Sequence, residues 1–282
     1  MVKKLSLCIL CLFTLNACSV KLAYNFLDFA INWQIGKYVT LTSKQQSIAD
    51  KRIEAFHDWH RASQLPLYAN YIDGLIARME TDQITADWVH KETDKIQDLL
   101  DLSVKQIKPD LVTLIASFDE KQVAEVMERF EKERDKYQKK HIDISEKKLL
   151  KRRKNELTDY LGPFFGHFTS EQKQWIDEWA HNLEPYEALT LKQQELWAIE
   201  LKEALNARKN EEELSKRLDG IMLYRTDDWD PKLEEILDKN QDLTYNLIAK
   251  LLNNRTEKQR TRFVRKLSAY RDDLNELSSK SK

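Results

Sequence analysis

Glycine and proline are scarce, five of each in 282 residues. The glycines, Gly36, Gly74, Gly162, Gly166 and Gly220, are scattered, so no glycine-rich loop is available to cradle a phosphate. No serine sits in a Gly-x-Ser-x-Gly elbow and no His-Glu-x-x-His pair occurs, which removes two common hydrolase signatures. No stretch alternates apolar and polar residues as a strand does. Cysteine occurs only at Cys8, Cys11 and Cys18; beyond residue 18, disulfides, cysteine nucleophiles and thiolate metal sites are therefore excluded. Neither charge is in excess, with 46 basic and 47 acidic residues, so there is no electrostatic footing for nucleic acid.

What is present begins at the N terminus. Lys3 and Lys4 precede an apolar run from Leu5 to Leu15, and the small residue Ala17 comes just before Cys18. This is the layout of a secretory signal peptide; the run is too short to cross a bilayer, which needs about 20 apolar residues. The tetrad Leu15-Asn16-Ala17-Cys18 resembles the lipobox of bacterial lipoproteins, with Asn16 where a small or hydroxyl residue is usual. That resemblance implies a signal peptide over 1–17, a mature chain from Cys18 onwards, and fatty chains such as palmitate on that cysteine. By analogy with other lipoproteins, Ser19 rather than Asp after the cysteine implies sorting to the outer membrane, facing the periplasm, over retention in the inner membrane.

The remaining chain, 33% charged overall with seven tryptophans in the sequence, reads as helix throughout. Leu22 to Val39 carries apolar residues at three- and four-residue steps. It either lies on a membrane surface, where Phe and Trp suit the headgroup boundary, or packs on the body. A figure then recurs: Leu41-Thr42-Ser43-Lys44-Gln45, Phe168-Thr169-Ser170-Glu171-Gln172, Leu189-Thr190-Leu191-Lys192-Gln193 and Arg255-Thr256-Glu257-Lys258-Gln259, with Asp119 and Gln122 as an acidic version. Its physics is the capping box, in which the Thr or Asp side chain accepts from the N3 amide while Gln reaches back to the cap amide. Thr42/Gln45, Thr169/Gln172, Thr190/Gln193 and Thr256/Gln259 are thus expected helix starts, joined by Thr85, Asp230, Pro66 and Pro109.

The expected fold is all-α, an antiparallel bundle of about ten helices in one lipid-anchored domain over 18–282. One long helix is expected near the middle, within Asp119 to Tyr160. Leu161-Gly162-Pro163-Phe164-Phe165-Gly166-His167-Phe168 is the strongest interruption, a candidate subdomain boundary near 162–168. The basic cluster Lys147, Lys148, Lys151, Arg152, Arg153 and Lys154 is either a solvated helix face or a grip for anionic headgroups, lipopolysaccharide phosphates or an acidic partner.

Two resemblances bear on function. The Leu-Thr-x-x-Gln figure resembles the repeated motif of the small helical periplasmic chaperones related to Spy and CpxP, which implies cradling of unfolded clients or a stress-sensing role. More of the chain is similar to a family of uncharacterised bacterial lipoproteins. The likeness is carried by Cys18 with Leu22-Ala23-Tyr24-Asn25, Tyr38-Val39-Thr40-Leu41-Thr42, Trp59-His60 ahead of Leu65-Pro66-Leu67-Tyr68, Leu161-Gly162 before Phe168-Thr169-Ser170-Glu171-Gln172, Trp179 with Leu183-Glu184-Pro185, and Trp229-Asp230-Pro231. That likeness implies a helical lipoprotein facing the periplasm and no particular reaction.

His57 and His60, with Glu54 and Asp58 nearby, share a helix face at the spacing of two zinc ligands. A third ligand is not evident, and the simpler reading is that Trp59 and His60 pack beside Pro66. Neither metal, cofactor nor catalytic residue is expected. Trp175, Trp179 and Trp197 are either core or a client-binding surface. The expected function is non-enzymatic: a lipid-anchored envelope protein acting by binding, chaperone-like or stress-related, or alternatively a structural scaffold of an envelope assembly. Its expected partners are the membrane, through the N-terminal lipid, and a protein partner or client.

Overall fold

Each helix start must find acceptors for its first free amides, and the Thr/Asp-x-x-Gln figures supply them. The computed structural model describes residues 20–80, 83–222 and 229–279; the expected leader over 1–17 and the lipid site Cys18 lie outside the described residues. Along the chain come α1 (Val20–Asn25) and α2 (Leu27–Gly36), then α3 (Ser43–Trp59), a π-helical turn (His60–Gln64) and α4 (Leu65–Met79). These are followed by α5 (Ala86–Ala116), α6 (Glu120–His141), α7 (Glu146–Phe165) and α8 (Ser170–Asn182). The last four are α9 (Glu187–Asn206), α10 (Glu211–Met222), α11 (Pro231–Asn253) and α12 (Glu257–Ser279). The fold is an all-α multi-helix bundle, with no strand among the described residues.

Thr42, Asp119, Thr169 and Thr256 each cap a helix, and each closes the reciprocal box with Gln45, Gln122, Gln172 or Gln259. Thr190 and Gln193 depart from the expectation. Helix α9 begins a turn earlier, at Glu187, and the Thr190 amide already donates to the Tyr186 carbonyl. The cause is local: Glu187 Oε2 accepts the Tyr186 amide at 3.1 Å, which sets the start next to Pro185 before Thr190 is reached. Gln193, 2% exposed, serves a different helix, its Oε1 accepting the Asp230 amide at the head of α11 at 3.2 Å.

One proline also departs from expectation. Pro109 lies inside α5 rather than at a start. A mid-helix proline costs about 3 kcal/mol, but α5 buries Val89 in one core and Val112 and Ile115 in another, and that packing on both sides of the proline holds the helix together. Pro66 stands in the first turn of α4 as expected, although α3 runs on into α4 through the π-helical turn. The expected long central helix is divided at 142–145, where β-branched Ile142 and Ile144 alternate with the turn formers Asp143 and Ser145. The chain folds back there: Lys140 Nζ lies 3.8 Å from Glu156, whereas sixteen residues of straight helix would put them roughly 24 Å apart. The longest helix is α5.

Two apolar clusters form the interior. The larger joins Leu65, Ala69 and Ile72 of α4, Phe165 of α7, Ile176 of α8, Leu251 of α11 and Leu267 and Leu274 of α12. The interruption near 162–168 belongs to it. Gly166, at φ 73°, ends α7 in the left-handed region that favours glycine, while Phe164, Phe165 and Phe168 pack inward against Phe263 and its neighbours. The smaller cluster joins Val39, Val112, Ile115, Phe118, Val123, Ala204, Leu205, Leu214 and Leu218.

Candidate functional site

A polar cluster surrounds the π-helical turn, and proline chemistry explains why the turn is there. A proline clashes with the carbonyl four residues back, which for Pro66 is that of Ala62. Widening the turn relieves the clash, and the Leu65 amide donates to the His60 carbonyl five residues back. Such bulges recur at functional sites. The Ser63 hydroxyl donates to the Trp59 carbonyl at 2.7 Å.

Two histidines at this turn meet residues from the N-terminal helices. His57 Nδ1 lies 2.7 Å from Asp28 Oδ1, and its Nε2 is 3.4 Å from Arg61 Nη2. His60 sits between two phenols, with Nδ1 3.0 Å from the Tyr24 hydroxyl and Nε2 3.3 Å from that of Tyr68. Tyr68 continues to Ser103 Oγ at 3.3 Å. The Tyr24 ring lies 4.7 Å from that of His57 and 5.8 Å from that of His60, with the Arg61 guanidinium 5.6 Å from it. Burial, reinforced by the neighbouring His57, pushes His60 down to about 4, while burial pushes the Tyr24 and Tyr68 phenols up. At neutral pH, then, a neutral imidazole bridges two protonated phenols, accepting from one and donating to the other.

This geometry is a latch. Both nitrogens of each imidazole have partners, and Ser103 bonds to a tyrosine rather than to a histidine. What the cluster does is hold α1 through Tyr24 and α2 through Asp28 onto the α3–α4 turn. Glu54 and Asp58 are exposed, and the carboxylate that meets His57 is Asp28, 29 positions earlier in the chain. No group of three or more metal-ligating side chains converges among the described residues. Tyr24, Asp28, Tyr68 and Ser103 were not singled out from the sequence as partners of these histidines; the one local signal was Pro66 just beyond Trp59 and His60.

A profile of DUF6279, a family of unknown function, matches residues 37–234. The chain belongs to that family. Searches of curated proteins and of solved structures gave no match. In this DUF6279 chain the latch therefore joins a matched part, which holds His57, His60, Tyr68 and Ser103, to α1 and α2, which precede the match.

The tryptophans considered as a client surface are half-buried. Trp175 and Trp179 pack against the larger cluster; Trp179 Nε1 donates to Thr244 Oγ1 at 3.0 Å, and the Lys250 ammonium stands 4.3 Å from the Trp175 ring. Trp197 packs edge-on to Trp229, with centroids 5.6 Å apart. The basic run divides as well. Arg153 is 8% exposed, donating to Glu187 at 2.7 Å and to the Leu183 carbonyl at 3.2 Å, and Lys154 pairs with Asp177, so two of its six cations face protein. Among the described residues no helix is long and apolar enough to cross a membrane.

Proposed function

We propose that this protein is a lipid-anchored envelope protein of the outer membrane's periplasmic face, acting as a non-catalytic scaffold that binds a protein partner. The observation that carries the reading is the tetrad Leu15-Asn16-Ala17-Cys18, placed immediately before two helices latched to the body by Tyr24 and Asp28. A tether at Cys18 would thus be coupled to the whole bundle rather than to a loose tail. The scaffold form is favoured over the chaperone-like form by the capping glutamines. The Leu-Thr-x-x-Gln figure here turns its glutamines inward, 7% exposed or less at Gln45, Gln172, Gln193 and Gln259, which leaves them unavailable to a client.

Labelling cells with a palmitate analogue should mark the wild-type chain and leave Cys18→Ala unmarked. Intact mass should show a mature N terminus at residue 18 carrying acyl chains, and an unmodified full-length chain would overturn the anchor. For the binding mode, crosslinking in intact cells should recover one defined partner, while the purified protein leaves aggregation of a denatured client unchanged. Suppression of that aggregation at near-equal molar ratio would return the chaperone-like reading instead.

A further inference from the structure

The N-terminal helices dock one face on the body through polar bonds and leave the other bare. Inward, Tyr24 and Asp28 meet the two histidines, Asn32 Nδ2 donates to Asp50 at 3.0 Å and Asn32 Oδ1 accepts from Gln46 Nε2 at 2.8 Å. Lys21 pairs with Glu276 and Asp273 of α12. Outward stand Leu22, Phe26, Phe29 and Trp33, at 47%, 59%, 69% and 58% exposure. Their spacing of four, three and four residues follows the helical period, with Phe26 at the turn between α1 and α2. They include the three most exposed of the exposed large apolar side chains among the described residues, and the polar bonds on the opposite face fix the direction in which they point.

We infer that Leu22, Phe26, Phe29 and Trp33 form a membrane-facing footing that seats in the headgroup boundary of a phospholipid bilayer. The inference rests on the proposed anchor, because tether length chooses the occupant. Leu22 is four positions on from Cys18, and even fully extended that span reaches only about 14 Å. The stripe itself is about 16 Å long at helical rise. An acylated Cys18 therefore leaves the whole stripe within reach of the bilayer, where Trp and Phe side chains are favoured. The tether makes the contact intramolecular, so four side chains suffice where a free helix would need more. Lys21 is committed to α12, and the Lys37 ammonium stands 3.0 Å from the centre of the Trp33 ring. The footing thus depends on apolar burial rather than on anionic lipid.

The test uses the chain from residue 18 to 282, in which Cys18 is the one thiol. It is coupled through that thiol to a maleimide headgroup lipid in phosphatidylethanolamine/phosphatidylglycerol vesicles, with and without phospholipids brominated near the headgroup. Bromolipid should quench the wild-type emission and lose most of that effect in Trp33→Phe. The triple variant Phe26→Ser/Phe29→Ser/Trp33→Ser, with unchanged helical circular dichroism, should lose it too. Replacing phosphatidylglycerol by phosphatidylcholine should leave the quenching unchanged. Equal quenching in wild type and Trp33→Phe, or none in either, would overturn the footing. So would a dimer in which Trp33 is shielded without lipid, since the stripe would then meet a second copy. Because maleimide replaces biological acylation, failed palmitate labelling with intact quenching removes the anchor reading alone, and the reverse removes the footing alone.

Discussion

Two corners of the bundle are built on the same plan, 77 and 87 residues apart in their pairings, and they differ in depth. Where α3 and α6 begin, Gln45 Nε2 donates to Gln122 Oε1 at 3.0 Å and Gln122 Nε2 returns the bond at 2.7 Å. Where α8 and α12 begin, Gln172 and Gln259 do the same at 3.0 and 2.8 Å. In both, each glutamine also donates to the carbonyl two residues ahead of the other's cap: Ser117 and Thr40 at one corner, Asn254 and His167 at the other. Counting the cap amide that each Oε1 accepts, every donor and acceptor of the four side-chain amides has a partner. A buried polar network is stabilising only when complete in this way.

The first corner borders the smaller core and the second the larger. Gln45 is 7% exposed against 1% for Gln172. A buried arginine braces each, by different routes: Arg208 reaches across from the α9–α10 turn to the Phe118 carbonyl at 2.9 Å, while Arg255 belongs to its own corner and reaches the Leu252 and Met79 carbonyls. The difference shows that one local pattern tolerates two cores provided that some cation covers the carbonyls the turn leaves over.

The largest expected effect is at the deeper corner. Gln172→Ala removes a cap contact and strands part of the Gln259 amide, and should lower unfolding free energy by about 3 kcal/mol. Adding Gln259→Ala should cost less than the sum of the single variants, by about 1 kcal/mol, as read by urea denaturation. Gln45→Ala should cost about 2 kcal/mol, because Gln45 itself is nearer to solvent, 7% exposed against 1% for Gln172. Hydrogen exchange should show opening confined to α8, α11 and α12 in the first case and to α3, α5 and α6 in the second; opening that spreads equally in both would end the contrast between corners.

Acid should then separate both corners from the latch, since neither corner uses a histidine side chain. His60 is held at about 4 against an ordinary 6.5, so the folded state resists the proton more than the unfolded chain does. The resulting stability is complete above 6.5 and is lost progressively as pH falls towards 4, by about 2 kcal/mol allowing for its partial exposure. His60→Gln should flatten that slope in denaturation curves between pH 7 and 4.5, while Gln172→Ala should leave it unchanged. The smallest effect is the exchange of cap types: Asp119→Thr should change stability by no more than about 0.5 kcal/mol.

Much of the helical layout was legible because its signals are local. Thr85 caps α5 by accepting the Trp88 amide at 3.1 Å, and Asp230 caps α11 ahead of Pro231, as their residue types foretell. Pro109 and Thr190 were misread for the opposite reason: packing on both flanks overrode the proline, and an upstream carboxylate started α9 early. The two histidines were legible as a pair, but their partners were not. Asp28, Tyr24 and Ser103 lie 29, 36 and 43 positions from the histidine or the tyrosine-linked chain they join, counted from His57 or His60, and nothing in their own neighbourhoods marks them.

By itself the sequence determined an all-helical chain and most of its helix starts. Capping boxes and helical stripes close within a few residues, so they need no knowledge of the rest of the fold. Tertiary structure alone decided which glutamines meet, which cations of the basic run turn inward and where the first two helices dock. Those outcomes depend on removing polar groups from water, and only the assembled bundle determines which groups lose their water and must find one another.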